Sequence, residues 1–206
     1  MAIAFDTSTT SATSSWSHTC SGSDRILIVT LRCADNAATA VTYNSVAMTK
    51  INEVALGGGV AATQLWLLMN PASGANTVSV TITGGVSSIS ASYTGVLQTG
   101  QPDAQNTNTT TSGTSLAVTV TTIADNDWLI GGAFDNGAGV LSAGANTTVR
   151  VDFANGHKLF ESSNNPITPA GATTMNVNLS ATGRISWNAV AIAPALTTFI
   201  PRMMVF

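Results

Sequence analysis

Apolar residues along this chain fall into two patterns: short continuous runs, and strict alternation with Thr, Ser or Asn. The run RILIVTLRC from Arg25 is β-branched and almost wholly apolar, as a strand covered on both faces is. In TVSVTIT, Val78, Val80 and Ile82 share one face while Thr and Ser residues take the other. AVTYNSVAMT reads as two short strands joined by a hairpin with Asn44 and Ser45 at its tip. ATQLWLLMN, SSISASYTGVL, LAVTVTTI, DWLIGGAF, TTVRVDF, HKLFE, TMNVNLS and RISWNAVAIA complete the set, punctuated by Gly, Asn, Ser or Pro. The stretch QPDAQNTNTTTSGTS, 101–115, holds no large apolar residue and is expected to be the longest loop.

About eleven strands result, and nowhere do apolar positions hold a helical period across three turns. Strand following strand without crossover helices implies antiparallel pairing, and the apolar faces must be buried sheet against sheet. The expectation is an all-β fold: an antiparallel two-sheet sandwich of jelly-roll type, one domain over residues 1–195, followed by an apolar C-terminal tail, 196–206. No repeat is visible at the periods of solenoids or propellers.

Composition narrows the function classes. Only 8% of residues are charged, the net charge is −3, and there are 31 Thr and 21 Ser among 206 residues. The seven cations, Arg25, Arg32, Lys50, Arg150, Lys158, Arg184 and Arg202, are scattered singly, which gives no footprint for a phosphate backbone. Nucleic acid is therefore not expected as a partner. No apolar stretch approaches the length of a membrane span, and MAIAFDTSTT lacks the basic and apolar regions of a signal peptide, so neither membrane insertion nor a Sec address is expected. Cys20 and Cys33 match neither zinc-ligand nor CxxC spacing; two buried thiols are the simpler reading, and a disulfide stays open.

Catalytic chemistry is sparse. His18, alternating with Trp16, is expected on a strand face, and His157 at a turn; two histidines without HExxH or HxH spacing do not make a catalytic zinc site. Asp125, Asn126 and Asp127 lack the glycine and distal Glu of an EF-hand and read as a turn, as do Asp135, Asn136 and Gly137; a hard-cation site would need the two loops to converge. Gly57 to Gly59 has no GK[ST] ending, no G-x-S-x-G elbow appears, and Glu53 and Glu161 are the only glutamates. No catalytic residue, cofactor or metal is expected. Trp66 and Trp128, flanked by Leu and Ile, belong in a core; Trp16 and Trp187, beside Ser, His and Asn, are the candidates for stacking on a carbohydrate.

The last residues, ALTTFIPRMMVF, carry Phe199, Ile200, Met203, Met204, Val205 and Phe206 with one charge among them. Burying such side chains contributes roughly 1.5 to 3 kcal/mol each, while leaving them in water makes an adhesive patch. They are expected to form an assembly interface. So few Lys and Glu leave sheet edges unguarded, and a closed homo-oligomer, a trimer favoured, would remove that hazard.

Four blocks in fixed order, GSDRILIV, VTYNSVAMT, WLLMNPASG and SYTGVLQT, resemble a β-sandwich domain of bacterial surface and phage structural proteins, over about residues 15–105. Ser45 stands where that hairpin carries glycine, which suggests a looser turn. The resemblance implies a structural or adhesive module with no catalytic residues to carry over. A stand-alone copy suits a virion component assembled in the host cytoplasm: a decoration protein that cements a phage head by bridging the major capsid protein subunits. A carbohydrate- or receptor-binding module of a tail fibre or bacterial surface is the alternative.

Overall fold

The computed structural model describes residues 1–34, 36–56, 62–137, 139–153 and 156–196. Among them lie fifteen strands, β1 to β15 in chain order, and every pairing is antiparallel. Sheet A runs in the order β1 (Ala4–Ser11), β9 (Val86–Thr94), β3 (Ile26–Cys33), β7 (Ala62–Met69), β6 (Thr49–Ala55). Sheet B runs β2 (Ser15–Cys20), β8 (Gly74–Thr81), β4 (Ala40–Tyr43), β5 (Val46–Ala47). Sheet C runs β10 (Ala104–Thr121), β15 (Ala172–Ile192), β11 (Trp128–Asp135), β14 (His157–Ser162), β13 (Thr147–Phe153), with β12 (Leu141–Ala143) paired to β15. The all-β antiparallel sandwich is thus present, with three sheets rather than two and more strands than the eleven expected.

Sheet A lies between the other two, which is why β3 reads as a continuous apolar run. Its Leu27, Val29 and Leu31 pack with Val41, Tyr43, Val78 and Val80 of sheet B. Its Ile26 and Ile28 pack, on the opposite face, with Ile130, Leu159, Val190 and Ile192 of sheet C. Sheet C in turn folds over itself. The β10–β15 ladder shifts register between Thr110 and Ser115, so that Leu116, Val118, Val120, Met175 and Val177 close over Leu129, Ala133 and Trp187.

Two alike sandwiches emerge from this bend. The order β1-β9-β3-β7 facing β2-β8-β4-β5 is the eight-strand jelly roll, with β6 as an added edge. In the second half, residues 104–110, 185–192, β11, β14 and β13 repeat the order β1-β9-β3-β7-β6, and residues 115–121, 172–178 and β12 repeat β2-β8-β4. The correspondence reaches single residues. Trp16 opposes Val78 as Leu116 opposes Val177, and Ile26 opposes Tyr93 as Trp128 opposes Ile192. Both outer edges bulge at the matching point, between Lys50 and Asn52 and between Val149 and Val151. Trp66 and Phe160 fill the same place in the two cores. The repeated unit is a whole sandwich, longer than a solenoid or propeller repeat. Within residues 1–195 the halves meet between β9 and β10 and share one apolar layer.

Several local expectations change. The stretch 104–115, expected as a loop, belongs to β10, and TMNVNLS and RISWNAVAIA join into one strand, β15. The Thr/Ser-rich start, unassigned from pattern, is β1. Asn44 and Ser45 both have positive φ, 49° and 64°, which is the tight two-residue hairpin turn, so Ser45 does not loosen it. Cys20 and Cys33 are free, buried thiols.

Candidate functional site

Strands β1, β9, β11 and β15 begin or end together at one pole, and there the two ends of the described chain are tied to each other. The Met1 ammonium donates to the Ala195 carbonyl at 2.8 Å, and Ala195 N–H donates to Gly95 at 2.8 Å. Val96 bridges Pro194, and Gly95, at φ 70°, lies so close to Ala2 that a Cβ would come within 2.2 Å of its carbonyl oxygen. Residues of three of the four resemblance blocks also meet here: Arg25 Nε donates to Pro71 O at 2.9 Å, Asn70 N–H to Arg25 O at 2.9 Å, and Gln98 to Arg25 O at 3.2 Å.

Beside this junction opens a cleft of about 250 Å³ lined by Met1, Ala2, Ile3, Asn126, Trp128, Pro166, Pro194 and Ala195. Trp128 sits edge-on to Tyr93 at 6.2 Å and is half-buried rather than wholly in a core. Three large apolar side chains are exposed on the same pole: Met1 at 56%, Ile123 at 73% and Leu196 at 81%. The assembly residues expected from sequence, Phe199, Ile200, Met203, Met204, Val205 and Phe206, lie outside the described residues.

An acid pair stands just inside this pole. Asp103 accepts the N–H groups of Ile123 at 2.7 Å and Ala124 at 3.2 Å. Asp127, fully buried, directly precedes β11, and neither of its oxygens has a partner of ordinary hydrogen-bond geometry. Burial, reinforced by a hydrogen bond and charge from Asp103, pushes its carboxyl up to about 8. The Asp125–Asp127 segment is a turn, as expected: Asn126 has φ 68° and Asp125 accepts Ala170 N–H at 2.7 Å. Asp135 ends β11 and Asp127 directly precedes its start, so the two Asx clusters sit at opposite ends of that strand and do not converge.

Of the aromatic candidates, neither presents a free stacking face. Trp187, expected to face out, is 0% exposed and packs on Phe160 at 5.8 Å between ring centroids. Trp16 is half-buried, packs against the first sandwich's core and donates from Nε1 to Ser90 Oγ at 3.1 Å. His18 Nδ1 is shared by the Thr9 and Ser90 hydroxyls at 3.1 Å each. Burial holds that imidazole down at about 4, against a weaker upward pull from Asp6. The Asp6 carboxylate itself takes Ser92 at 2.7 Å and Ser21, not His18, so no Ser-His-Asp relay forms. His157, expected at a turn, instead begins β14; it is fully buried, its Nε2 lies 3.1 Å from Thr30 Oγ1, and burial lowers it to about 3.

The remaining carboxylates lie apart. Glu53 pairs with Lys50 at 2.8 Å, and Glu161 takes Arg150 at 2.5 Å and the Tyr93 hydroxyl at 2.8 Å. Among the described residues no three His, Cys, Asp or Glu side chains come together as a metal site would need. No family model, curated protein or solved structure matches the chain.

Sequence reasoning missed one arrangement. At the pole opposite the cleft, Arg32, Phe134, Asp135, Asn136 and glycines 137, 139 and 156 line a second hollow of about 400 Å³. Arg32 lies over the Phe134 ring at 4.9 Å. Arg32 and Asp135 are about a hundred residues apart, and each stands alone among neutral neighbours, so no local pattern couples them.

Proposed function

We propose that the protein is a non-enzymatic structural component of a phage virion, a decoration protein that attaches to the head and bridges neighbouring capsid subunits. The observation that carries this reading is the apolar pole: Met1, Ile123 and Leu196 stand exposed around an apolar cleft at the end of the described chain, next in sequence to the apolar stretch TTFIPRMMVF. Other large apolar side chains, Val46, Val140 and Val149, are exposed elsewhere, but three gathered around one apolar cleft favour a buried contact there. Two sandwiches sharing one core supply a stiff body, so strain applied at the contact is carried rather than absorbed. The mechanism is area burial. A contact of more than about 1,000 Å² across a subunit boundary raises the work of pulling the subunits apart.

The test is removal of residues 197–206. The full chain is expected to run as a homo-oligomer, to co-sediment with heads lacking it, and to raise the temperature at which they release DNA. The truncated chain is expected to keep its circular-dichroism spectrum while losing oligomer and head retention together. Retention of both by the truncated chain would remove this pole from the reading.

A further inference from the structure

We propose that the hollow at the end of β11 is a binding site for a small neutral polyhydroxylated ligand, such as one terminal saccharide residue, with Asp135 as its principal acceptor and Arg32 as its principal donor. The site is independent of the apolar pole and of the assembly reading built on it.

Asp135 carries the argument. It is only 3% exposed, yet neither carboxylate oxygen has a hydrogen-bond partner of ordinary geometry. Burying a carboxylate without partners is costly, and the usual remedy is a donor from the same chain. Here the chain offers only loosely placed backbone amides. Glycines surround the group: a Cβ on Gly183 would come within 2.8 Å of Oδ1, and one on Gly137 within 3.2 Å. The amides of Gly137 and Gly139 lie near enough to oppose the upward push of burial on the carboxyl without cancelling it. Those two amides support the carboxylate in part, yet neither of its oxygens closes a hydrogen bond of ordinary geometry, and the group lines the hollow.

Across the hollow, Arg32 Nε is buried and also without a partner. Its guanidinium is held over the Phe134 ring, which fixes the fork and covers the aromatic face. No ion pair joins Arg32 and Asp135, so acceptor and donor face the space separately. One negative and one positive wall make a neutral site. A metal ion meets a lone carboxylate and an opposing arginine, and an inorganic anion meets the carboxylate. Adjacent hydroxyls fit both walls, donating to the two Asp135 oxygens while another ligand oxygen accepts from Arg32. A volume of about 400 Å³ falls within the range of roughly 300 to 1,000 Å³ typical of small-ligand sites. With the Phe134 face covered, affinity comes from hydrogen bonds alone, so weak binding is expected.

The full chain, labelled with nitrogen-15, is titrated in turn with D-glucose, D-galactose, D-mannose, L-fucose and N-acetyl-D-glucosamine, and separately with calcium chloride. At least one sugar is expected to give saturable shifts at the amides of Gly137, Gly139 and Gly156, with Asp135→Asn weakening the binding about tenfold or more. Arg32→Gln, which changes only the side chain at a position held by its ladders with Thr63 and Ser87, is expected to weaken it in the same direction. The unchanged remainder of each variant's spectrum certifies its fold. No saturable shift with any sugar, shifts confined to other residues, or shifts that survive Asp135→Asn would each overturn the proposal, whatever calcium chloride does.

Discussion

His18, His157 and Asp127 share one constraint, burial without an adequate counter-charge, but its effect on stability has opposite signs. The two imidazoles, lowered to about 4 and about 3, are neutral when folded and charge in the unfolded chain below about 6.5. Asp127, raised to about 8, keeps its proton when folded and loses it in the unfolded chain above 3.8. Across these three groups, between about pH 4 and 6.5 the unfolded chain binds two protons that the folded one lacks, against one in the other direction, so their joint contribution to stability rises with pH. From 6.5 to 8 only Asp127 acts, and stability falls. Each net proton is worth about 1.4 kcal/mol per pH unit. Denaturation midpoints measured across this range are expected to peak near pH 6.5, and Asp127→Asn is expected to flatten the descent toward pH 8. A profile still rising from 6.5 to 8 in the natural chain would refute the assignment. Such residues also mark the limit of reading single positions. Trp187 looked surface-bound because Ser186 and Asn188 flank it. Those neighbours are buried too, Asn188 donating to Thr63 at 2.8 Å and Ser186 accepting from Thr63 at 3.1 Å, because β15 is covered on both faces. Polarity next door signals exposure only when one face meets water.

Strands with a visible alternation were legible. Val78 and Val80 point into the core as their spacing required, and the Asn44–Ser45 turn closes where two short strands predicted it. Residues 104–115 were not, since their side chains bury little and the strand owes its existence to the ladder with β15. Edges likewise escaped sequence reasoning. Strands β1, β6 and β13 are interrupted by bulges, β6 also carries the Lys50–Glu53 pair, and Asn106 and Asn108 donate to the carbonyls of Thr119 and Ala117 at 2.7 Å, lacing the two parts of β10 together. These devices blunt edge-to-edge association. A close fit between the facing sheets is where β3 crosses β11: a Cβ on Gly132 would lie 2.7 Å from Thr30 Cβ and Cγ2. Gly132→Ala is expected to cost about 1 to 3 kcal/mol through overpacking, measured by chemical denaturation. Thr30→Gly in the same chain is expected to recover part of the loss, so that the double variant is less destabilised than the two single effects combined. Strict additivity would mean that the two strands do not meet there.

At the scale of the whole molecule, each sandwich turns the same sheet toward the other, and corresponding residues do corresponding work. Thr63 in β7 donates to Ser186 in β15; their counterparts, His157 in β14 and Ser87 in β9, are near enough for the Ser87 backbone to pull the imidazole upward. Glu53 takes the buried Gln64 across the β6–β7 edge as Asp152 takes the buried Lys158 across β13–β14. Like surfaces meeting face to face are the pattern of a two-fold dimer, here contained in one chain. The shared layer is consequently a core for both halves and a surface for neither. A chain ending at residue 99 would uncover Ile26, Ile28, Leu65, Leu67, Ile89 and Tyr93 together, each worth roughly 1.5 to 3 kcal/mol when buried. It retains the complete first jelly roll and the interior that Leu27, Val29 and Tyr43 fill, so it has the means to fold. What it lacks is a cover. Size-exclusion chromatography with light scattering is expected to find it as a dimer through that face or as larger aggregates. Adding the separately produced remainder, 100–206, is expected to convert it to a one-to-one complex. A half-chain that stays monomeric and as resistant to denaturant as the whole would show that each sandwich stands alone and that the layer between them stabilises neither.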